Sequence, residues 1–223
     1  MAEGAVAVAE ESSARCFQAA GESLEGIICL AAVAEFRDTG VAAHLRRISR
    51  ISALIAAGLG LPTDQVERIR LASPMHDLGK VAVPCSILLK PAALTPQERK
   101  IVETHTLVGA ELLANWSDPL AATAREIALS HHERWDGGGY PQCLRGDRIP
   151  LPARIVCLAD VLDALATQRC YKPAYGLDTV REILKKENGS HFDPDCHAAL
   201  ASCMDEVVGV YAGACAGSAL GIA

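Results

Sequence analysis

Residues 76–80 read HDLGK and stand at the end of an apolar pattern in which Ile69, Ala72 and Met75 recur at every third position. That spacing predicts a helix with one face in a protein core. The helix would carry His76 and Asp77 toward the core, where an unpaired ionised carboxylate is costly. The pair therefore needs partners from elsewhere in the chain, and the residues able to supply them predict both the fold and the chemistry.

The composition favours helices packed on helices. Of 223 residues, 50% are hydrophobic and only 4% are aromatic, and alanine and leucine dominate. Alanine and leucine are good helix formers, whereas the aromatic residues that favour strands are scarce. No strand pattern longer than a few residues occurs in the sequence. We therefore predict an all-α fold, and the length is sufficient for a helical domain with a substantial core.

Charge and cysteine content limit the class of protein. The formal net charge of -6 creates no global basic field, so DNA is not a predicted partner. The nine cysteines include no C-x-x-C pair, which favours a reducing, cytoplasmic environment over a disulfide framework. The start, MAEGAVAVAEESSARC, has no basic beginning and glutamates interrupt its short apolar run, so it is not interpreted as a signal peptide. The uncharged C-terminal stretch, residues 207–223, is interpreted as a helix end followed by a flexible tail and not as a membrane span.

Helices are predicted over residues 10–36 and 41–59. The second has an apolar stripe with His44 on it, made of Leu45, Ile48, Ile51, Ile55 and Leu59. The next helix is predicted to begin near Thr63, with Asp64 and Glu67 as a capping box, and to run on toward His76.

Further start signals follow. Thr95, Pro96 and Glu98 form a second predicted capping box, in a helix that would contain His105. Later helices are predicted from about Leu120, from near Pro152 and, last, from a cap at Asp193. The glycine-rich and proline-rich segment between the first two of these, residues 134–151, is predicted to be a shaped loop.

Histidines and aspartates collect on these predicted helices. A single buried histidine is usually a hydrogen-bonded core residue, and seven histidines occur in the chain. Five imidazoles in one helical core would be difficult to satisfy by hydrogen bonds alone. The candidate set is His44, His76, Asp77, His105, His131, His132 and Asp160. Together these residues predict a metal site.

Adjacent pairs in this set suggest two ions. Side chains at neighbouring positions of a helix diverge by about 100°, so His131 and His132 are expected to serve two neighbouring ions. A carboxylate such as Asp77 has two oxygens and can bridge two cations. Histidines with a bridging carboxylate suit iron, manganese or other first-row metals. Two cations about 3.5–4 Å apart form a clamp for in-line displacement at phosphorus.

The order H…HD…D is the signature of the HD superfamily of metal-dependent phosphohydrolases. Residues 131–141, HHERWDGGGYP, closely resemble the run that names the HD-GYP subfamily. Residues 75–98, MHDLGKVAVPCSILLKPAALTPQE, and 149–175, IPLPARIVCLADVLDALATQRCYKPAY, match the same subfamily in order and spacing. The resemblance covers roughly residues 35–200 and implies an HD-superfamily helical bundle with a GYP loop.

The resemblance also implies an activity and a set of roles. Enzymes of the subfamily hydrolyse the bacterial second messenger cyclic di-GMP, by way of the linear dinucleotide pGpG. Two divalent metal ions, Fe or Mn, would be held by His44, His76, Asp77, His105, His131, His132 and Asp160, with Asp77 as the bridge. Lys80 would contact the scissile phosphate, Arg169 and Lys172 would hold the phosphate of the ligand, and Tyr140 would shape the pocket beside the guanine.

Several alternatives stay open from the sequence. The substrate could be another cyclic dinucleotide, or the chain could be a non-catalytic cyclic di-GMP-binding adaptor. Other signalling proteins bound through the GYP loop, and a homodimer, are further candidate partners. The predicted organisation is an N-terminal helical extension over 1–36, an HD-GYP catalytic domain over 37–212 and a flexible C-terminal tail over 213–223.

One position departs from the family pattern. Some relatives hold a third metal with a glutamate four residues before the first ligand histidine. Here that position is Gly40, which has no side chain to donate. Two ions are therefore expected, and pGpG is expected to accumulate.

Overall fold

The computed structural model describes residues 24–34, 40–168 and 174–216. Over these residues the chain is helical, and an isolated bridge between Asn188 and Phe192 is the one β-type pairing they contain. The predicted all-α fold is confirmed. Within the described ranges, no helix is long and apolar enough to cross a membrane.

The described residues form eleven α-helices, which we number in chain order. They are α1 (Leu24–Ala34), α2 (Val41–Gly58), α3 (Thr63–Ala72), α4 (Cys85–Leu88), α5 (Pro96–Glu103), α6 (His105–Leu112), α7 (Pro119–Ser130), α8 (Leu151–Ala166), α9 (Leu177–Lys186), α10 (Pro194–Ser202) and α11 (Met204–Ala216). Short 3-10 helices occupy Ser73–Met75, Leu78–Ala82 and Gly146–Arg148.

Helix α2 lies at the centre of the bundle, in contact with α1, α3, α8, α10 and α11. The apolar stripe predicted for it is buried, since Leu45, Ile48, Ile51 and Ile55 are all 0% exposed. At about 25 cal/mol per Å² of apolar surface, complete burial of one such side chain stabilises the fold by about 1.5–3 kcal/mol. Because His44 precedes this stripe, the burial of α2 also fixes the position of that imidazole.

Helix α3 begins at Thr63 as predicted, but its predicted capping box is wrong. Pro62 is the N-cap residue and no side chain caps the helix, while Asp64 instead pairs with Arg68. The helix also ends earlier than the apolar pattern suggested, at Ala72. Pro74 explains this end, because proline lacks the N–H that a continuing α-helix would use and its ring crowds the preceding turn.

The capping box at Thr95 is present: its side chain accepts from the Glu98 amide, and the Glu98 carboxylate accepts from the Thr95 amide. The chain bends at Thr104, however, so His105 is the first residue of a new helix rather than part of α5. Helix α11 continues to Ala216, beyond the predicted start of the tail at residue 213. The rest of the tail, and most of the predicted extension over 1–36, lie outside the described residues.

Candidate metal centre

The HD pair lies in a tight turn between two 3-10 helices and not on an α-helix as predicted. Both side chains are nevertheless buried, with His76 0% and Asp77 5% exposed. The turn follows Pro74, which is the local feature that ends α3 just before the pair. His76 keeps α-helical backbone angles, whereas Asp77, with φ -102° and ψ 11°, departs from them.

Two other histidines also stand at helix ends. His131 is the C-cap residue of α7, and His132 lies in the turn that follows. The Nε2 atoms of His131 and His105 are 3.4 Å apart. The prediction that His131 and His132 lie on a helix is therefore wrong, because α7 ends at Ser130.

The structure brings together all the residues predicted to bind metal, and they form two groups. Within each group, the potential ligand atoms lie within 4.8 Å of one another. One group is Asp77, His105, His131 and His132, and the other is His44, His76 and Asp160. The prediction that His131 and His132 serve different ions does not match this grouping. The 100° divergence that suggested it applies to an α-helix, and these residues come after one ends.

Asp77 connects the two groups. One oxygen, Oδ2, is 3.2 Å from Nε2 of His76, which belongs to the second group. The other oxygen, Oδ1, is 3.2 Å from Nε2 of His105 and 3.7 Å from Nε2 of His131, both in the first group. The carboxylate thus presents one oxygen to each group, the arrangement that a bridging ligand requires.

The histidines are held in one tautomer by their Nδ1 atoms. Nδ1 of His76 is 3.0 Å from the carbonyl of Ser73, and Nδ1 of His105 is 2.6 Å from the carbonyl of Val102. Nδ1 of His131 likewise lies 3.0 Å from a carbonyl in the last turn of α7. A carbonyl only accepts, so each Nδ1 donates and Nε2 of the neutral ring keeps its lone pair. Such outer bonds are typical of metal-binding histidines.

The electrostatics leave His105 and His132 neutral beside an ionised carboxylate. Burial lowers the pKa of His105 to about 4, and burial also holds the pKa of His132 well below its ordinary value. Burial opposes ionisation of Asp77, but the positive charge of Lys80 holds its pKa well below the usual range. Neutral imidazole and ionised carboxylate are the protonation states that bind metal.

A cation fits this donor set better than hydrogen bonds do. Among the described residues Asp77 Oδ1 is buried without a hydrogen-bond partner of good geometry, although nitrogen atoms approach it. With Nδ1 of His105 donating to the Val102 carbonyl, its Nε2 lone pair faces a carboxylate oxygen that is also an acceptor. Lone pairs in this arrangement repel unless a positive charge lies among them.

Lys80 supplies part of the positive charge. Its Nζ donates to Oδ2 of Asp77, and its side chain is 31% exposed. The ammonium therefore lies at the edge of the buried cluster, with one side toward the carboxylate and the other toward solvent. That position suits a residue that meets an anionic ligand as it reaches the centre.

The GYP loop packs against the cluster. The ring of Tyr140 stacks on the ring of His132, with centroids 4.8 Å apart and an interplanar angle of 27°. Glu133 is 2% exposed, and its two oxygens accept from the amides of Gln142 and Leu144 at 2.7 and 3.0 Å. Glu133 thereby orients the loop. Arg169 and Lys172, the predicted phosphate contacts, lie outside the described residues.

Asp163, which is not among the predicted metal ligands, orients one of them. Its Oδ2 accepts from Nδ1 of His44 at 2.8 Å. Despite burial, the hydrogen bonds from His44 and Arg47 lower the pKa of Asp163 to about 2, so it is a carboxylate. Asp163 lies one turn after Asp160 on α8, and this spacing could have predicted that it lies near the metal-ligand candidates. Nothing in the local sequence signals Arg47 or Tyr211, which also contact it.

We expect Glu133→Ala to loosen the GYP loop. The change would leave the amides of Gln142 and Leu144 without the carboxylate, at a cost of about 2–4 kcal/mol in free energy of unfolding. Chemical denaturation measures that loss. Glu126→Ala, on the outer part of α7, is the control and should change the unfolding free energy by less than about 0.5 kcal/mol. Equal stability of the two variants would contradict the role assigned to Glu133.

Comparison with known proteins agrees with the fold and the site. The HD domain family model matches residues 29–196, and the chain belongs to this family. The membership of the HD superfamily predicted from the motifs is confirmed. In structure, the chain resembles Bd1817, an HDG"Y"P protein from Bdellovibrio bacteriovorus, with a TM-score of 0.62 at 21% identity, over 87% of this chain and 64% of the other. At that identity the likeness concerns the fold.

Curated relatives are more similar in sequence. The chain is 46% identical to the cyclic di-GMP phosphodiesterase response regulator RpfG of Xanthomonas campestris, over 77% of this chain and 45% of the relative. It is 40% identical to 3'3'-cGAMP-specific phosphodiesterase 2 of Vibrio cholerae, over 85% of this chain and 36% of the relative. The chain thus spans less than half the length of these relatives.

Proposed function

We propose that the chain is a metal-dependent phosphodiesterase that hydrolyses cyclic di-GMP to pGpG. The observation that carries the proposal is the buried Asp77 carboxylate, which presents one oxygen to each of two groups of potential ligands. A pair of adjacent sites with a shared carboxylate is suited to phosphoryl chemistry. Anaerobic purification, metal analysis and chromatography of the products formed from cyclic di-GMP test the proposal together.

The proposed cofactor is a pair of divalent first-row ions, Fe or Mn. The chemistry of the donors supports it, because imidazole nitrogens with a carboxylate bridge are the ligands that such metals take. The proposed ligands are His44, His76, Asp77, His105, His131, His132 and Asp160. When bound, the ions would activate water and offset negative charge on the phosphoryl oxygens.

The chain's own residues would bind and orient the substrate. Lys80, at the solvent edge of the cluster, would donate to an oxygen of the scissile phosphate and offset charge that develops there. Tyr140, which stacks on His132, would form one wall of the pocket beside a guanine. Arg169 and Lys172 would hold the phosphate of the ligand, a role assigned from the sequence resemblance.

A second candidate substrate is a related cyclic dinucleotide. Its support is the 40% identity to a relative named as 3'3'-cGAMP-specific. Cyclic di-GMP is preferred because the relative at 46% identity is named for it. Competition between the two nucleotides at equal concentration, with products separated by chromatography, distinguishes the candidates. The sequence also predicts a cytoplasmic location and two kinds of partner, namely other signalling proteins at the GYP loop and a second copy of the chain in a homodimer. These stay predictions.

We expect Arg169→Ala and Lys172→Ala each to weaken binding of cyclic di-GMP by about 1.5–3 kcal/mol, the size of a lost charge-assisted hydrogen bond. Metal content should stay at the wild-type level because neither residue is a proposed ligand. Isothermal titration of the metal-loaded protein measures the affinity. Lys186→Ala, at the end of α9, is a matched control for loss of a positive charge. Wild-type affinity in both variants would remove these residues from the ligand site.

We expect pGpG to accumulate, with slow or no conversion to GMP. Gly40, the N-cap of α2, has no side chain to bind a further ion, and its φ of 106° lies where other residues are strained. In the family a third metal has been linked to the second hydrolysis. Metal analysis and a time course by chromatography check both halves of the prediction. Three tightly bound ions per chain, or GMP as the main product, would contradict it.

A further inference from the structure

His44 differs from His76, His105 and His131 in the group that accepts the hydrogen bond from its Nδ1 atom. His76, His105 and His131 donate from Nδ1 to backbone carbonyls three or four residues earlier in the chain. His44 donates instead to a carboxylate, Asp163, 119 residues away on α8. An ionised acceptor makes the imidazole a stronger ligand than a carbonyl does, and it ties the ring to the tertiary structure instead of to its own turn.

Asp163 in turn is held by two further residues. Its side chain is 1% exposed and receives Nε of Arg47 on Oδ1 at 2.6 Å and Nη2 of Arg47 on Oδ2 at 2.9 Å. The hydroxyl of Tyr211 donates to Oδ1 at 3.0 Å. Burial and the charge of Asp163 raise the pKa of Tyr211, so its phenol stays protonated and remains a donor.

Tyr211 lies on α11, which follows the last residue matched by the family model at position 196. Its ring also lies against the Arg47 guanidinium, with Cζ of the arginine 5.9 Å from the ring centroid. The C-terminal helix is thereby connected through Tyr211 and Asp163 to a proposed metal ligand. This connection is in addition to the packing of α11 on α2.

The connected ligand belongs to the more exposed of the two groups. The side chains of His44 and Asp160 are 17% and 20% exposed, whereas those of His105 and His131 are 1% and 0% exposed. Because less packing holds the exposed donors, their orientation depends more on their hydrogen bonds. Asp160 Oδ1 lies 3.7 Å from Nε2 of His44, so a rotation of that imidazole would separate two donors of this group.

We infer that Tyr211, with Arg47 and Asp163, forms a positioning network through which the C-terminal helix sets the metal affinity of the group that contains His44, His76 and Asp160. Tyr211 acts through Asp163 on His44 and touches neither the ions nor the substrate. The inference rests on the proposed function, because it concerns the metal centre of that function. According to this inference, helix α11, which lies outside the region matched by the family model, determines whether the second ion is retained.

The test measures Mn²⁺ binding by the full chain, through competition with a chelating dye under conditions that resolve two dissociation constants. In Tyr211→Phe the weaker constant should rise by at least about threefold, while the stronger one stays unchanged. In Asp163→Asn the weaker constant should rise by about 10- to 100-fold, the range found for partners of metal-binding side chains. The phenylalanine variant removes one hydroxyl and keeps the ring.

Val207→Ala is the control for loss of packing on the same helix. Val207 is 0% exposed, and its truncation should lower the melting temperature more than Tyr211→Phe does, with both Mn²⁺ constants unchanged. Suppose that the wild-type protein binds two ions and cleaves cyclic di-GMP. If Tyr211→Phe then has the same Mn²⁺ dissociation constants as the wild type, this inference alone is overturned. An equal rise of the weaker constant in Val207→Ala would also overturn it. Failure of the wild type to bind Mn²⁺ would overturn both the inference and the proposed function.

Discussion

Replacing Asp77 by asparagine should lower the rate of cyclic di-GMP hydrolysis by at least about 1,000-fold, because the change removes the charge that the two groups share. The asparagine side chain would keep the size of the aspartate but could not bridge two cations with ionised oxygens. Metal content should fall below two ions per chain. Helicity by circular dichroism should stay near wild type, since the α-helices of the core do not depend on this charge.

Asp64→Asn is the matched control for Asp77→Asn. Asp64 also lies beside a cation, Arg68, but its side chain is 73% exposed and far less constrained. Loss of an exposed pair of this kind changes stability by less than about 1 kcal/mol, so the rate should not change. An Asp77→Asn variant that retains a tenth of the wild-type rate would contradict a mechanism with a shared carboxylate. His76→Ala should behave as Asp77→Asn does, since it removes a ligand from the second group.

The second large effect is expected at Gly79, in the HDLGK turn. A Cβ at this position would lie 1.9 Å from the carbonyl oxygen of His105 and 2.4 Å from the amide nitrogen of Gly109. Both are backbone atoms of α6, so no side-chain rotation relieves the clash. Gly79→Ala should therefore separate the turn from α6, with a loss of about 3 kcal/mol or more in free energy of unfolding.

The same separation would disturb the cluster, since Asp77 belongs to the turn and His105 begins α6. Metal affinity should fall together with stability in Gly79→Ala. Gly209→Ala on α11 is the control, because a Cβ there meets nothing within 4 Å. Alanine inside a helix is favoured over glycine by about 1 kcal/mol, so this variant should be at least as stable as wild type. Equal melting temperatures for the two variants would show that the close packing at Gly79 has no structural role.

Local sequence was sufficient for most of the helices and for the identity of the clustered residues. The stripe on α2 and the capping box at Thr95 have local physical causes, namely periodic burial and a pair of reciprocal hydrogen bonds. The residues that form the cluster were identified because histidines and aspartates in one helical core are difficult to satisfy without a metal. The apolar pattern continues past Pro74 and therefore did not predict that the helix ends there. Pro74 is the reason that the HD pair lies in a turn.

Other features depended on contacts that no local pattern reports. The grouping of His131 with His132 follows from the end of α7 at Ser130, which a continuous helical pattern did not show. The hydrogen bond from Tyr211 to Asp163 joins residues 48 positions apart, on helices with no shared motif. Such contacts arise from the packing of whole helices and become visible in the three-dimensional structure.

The central claim is that two ions joined by Asp77 enable the chain to cleave cyclic di-GMP. The most direct measurement is the rate of cyclic di-GMP hydrolysis by one preparation as Fe²⁺ or Mn²⁺ is added to metal-free protein under anaerobic conditions. We predict no hydrolysis without metal, full activity at two ions per chain, and pGpG as the product. Absence of hydrolysis with two ions bound, or undiminished hydrolysis by metal-free protein, would contradict the claim.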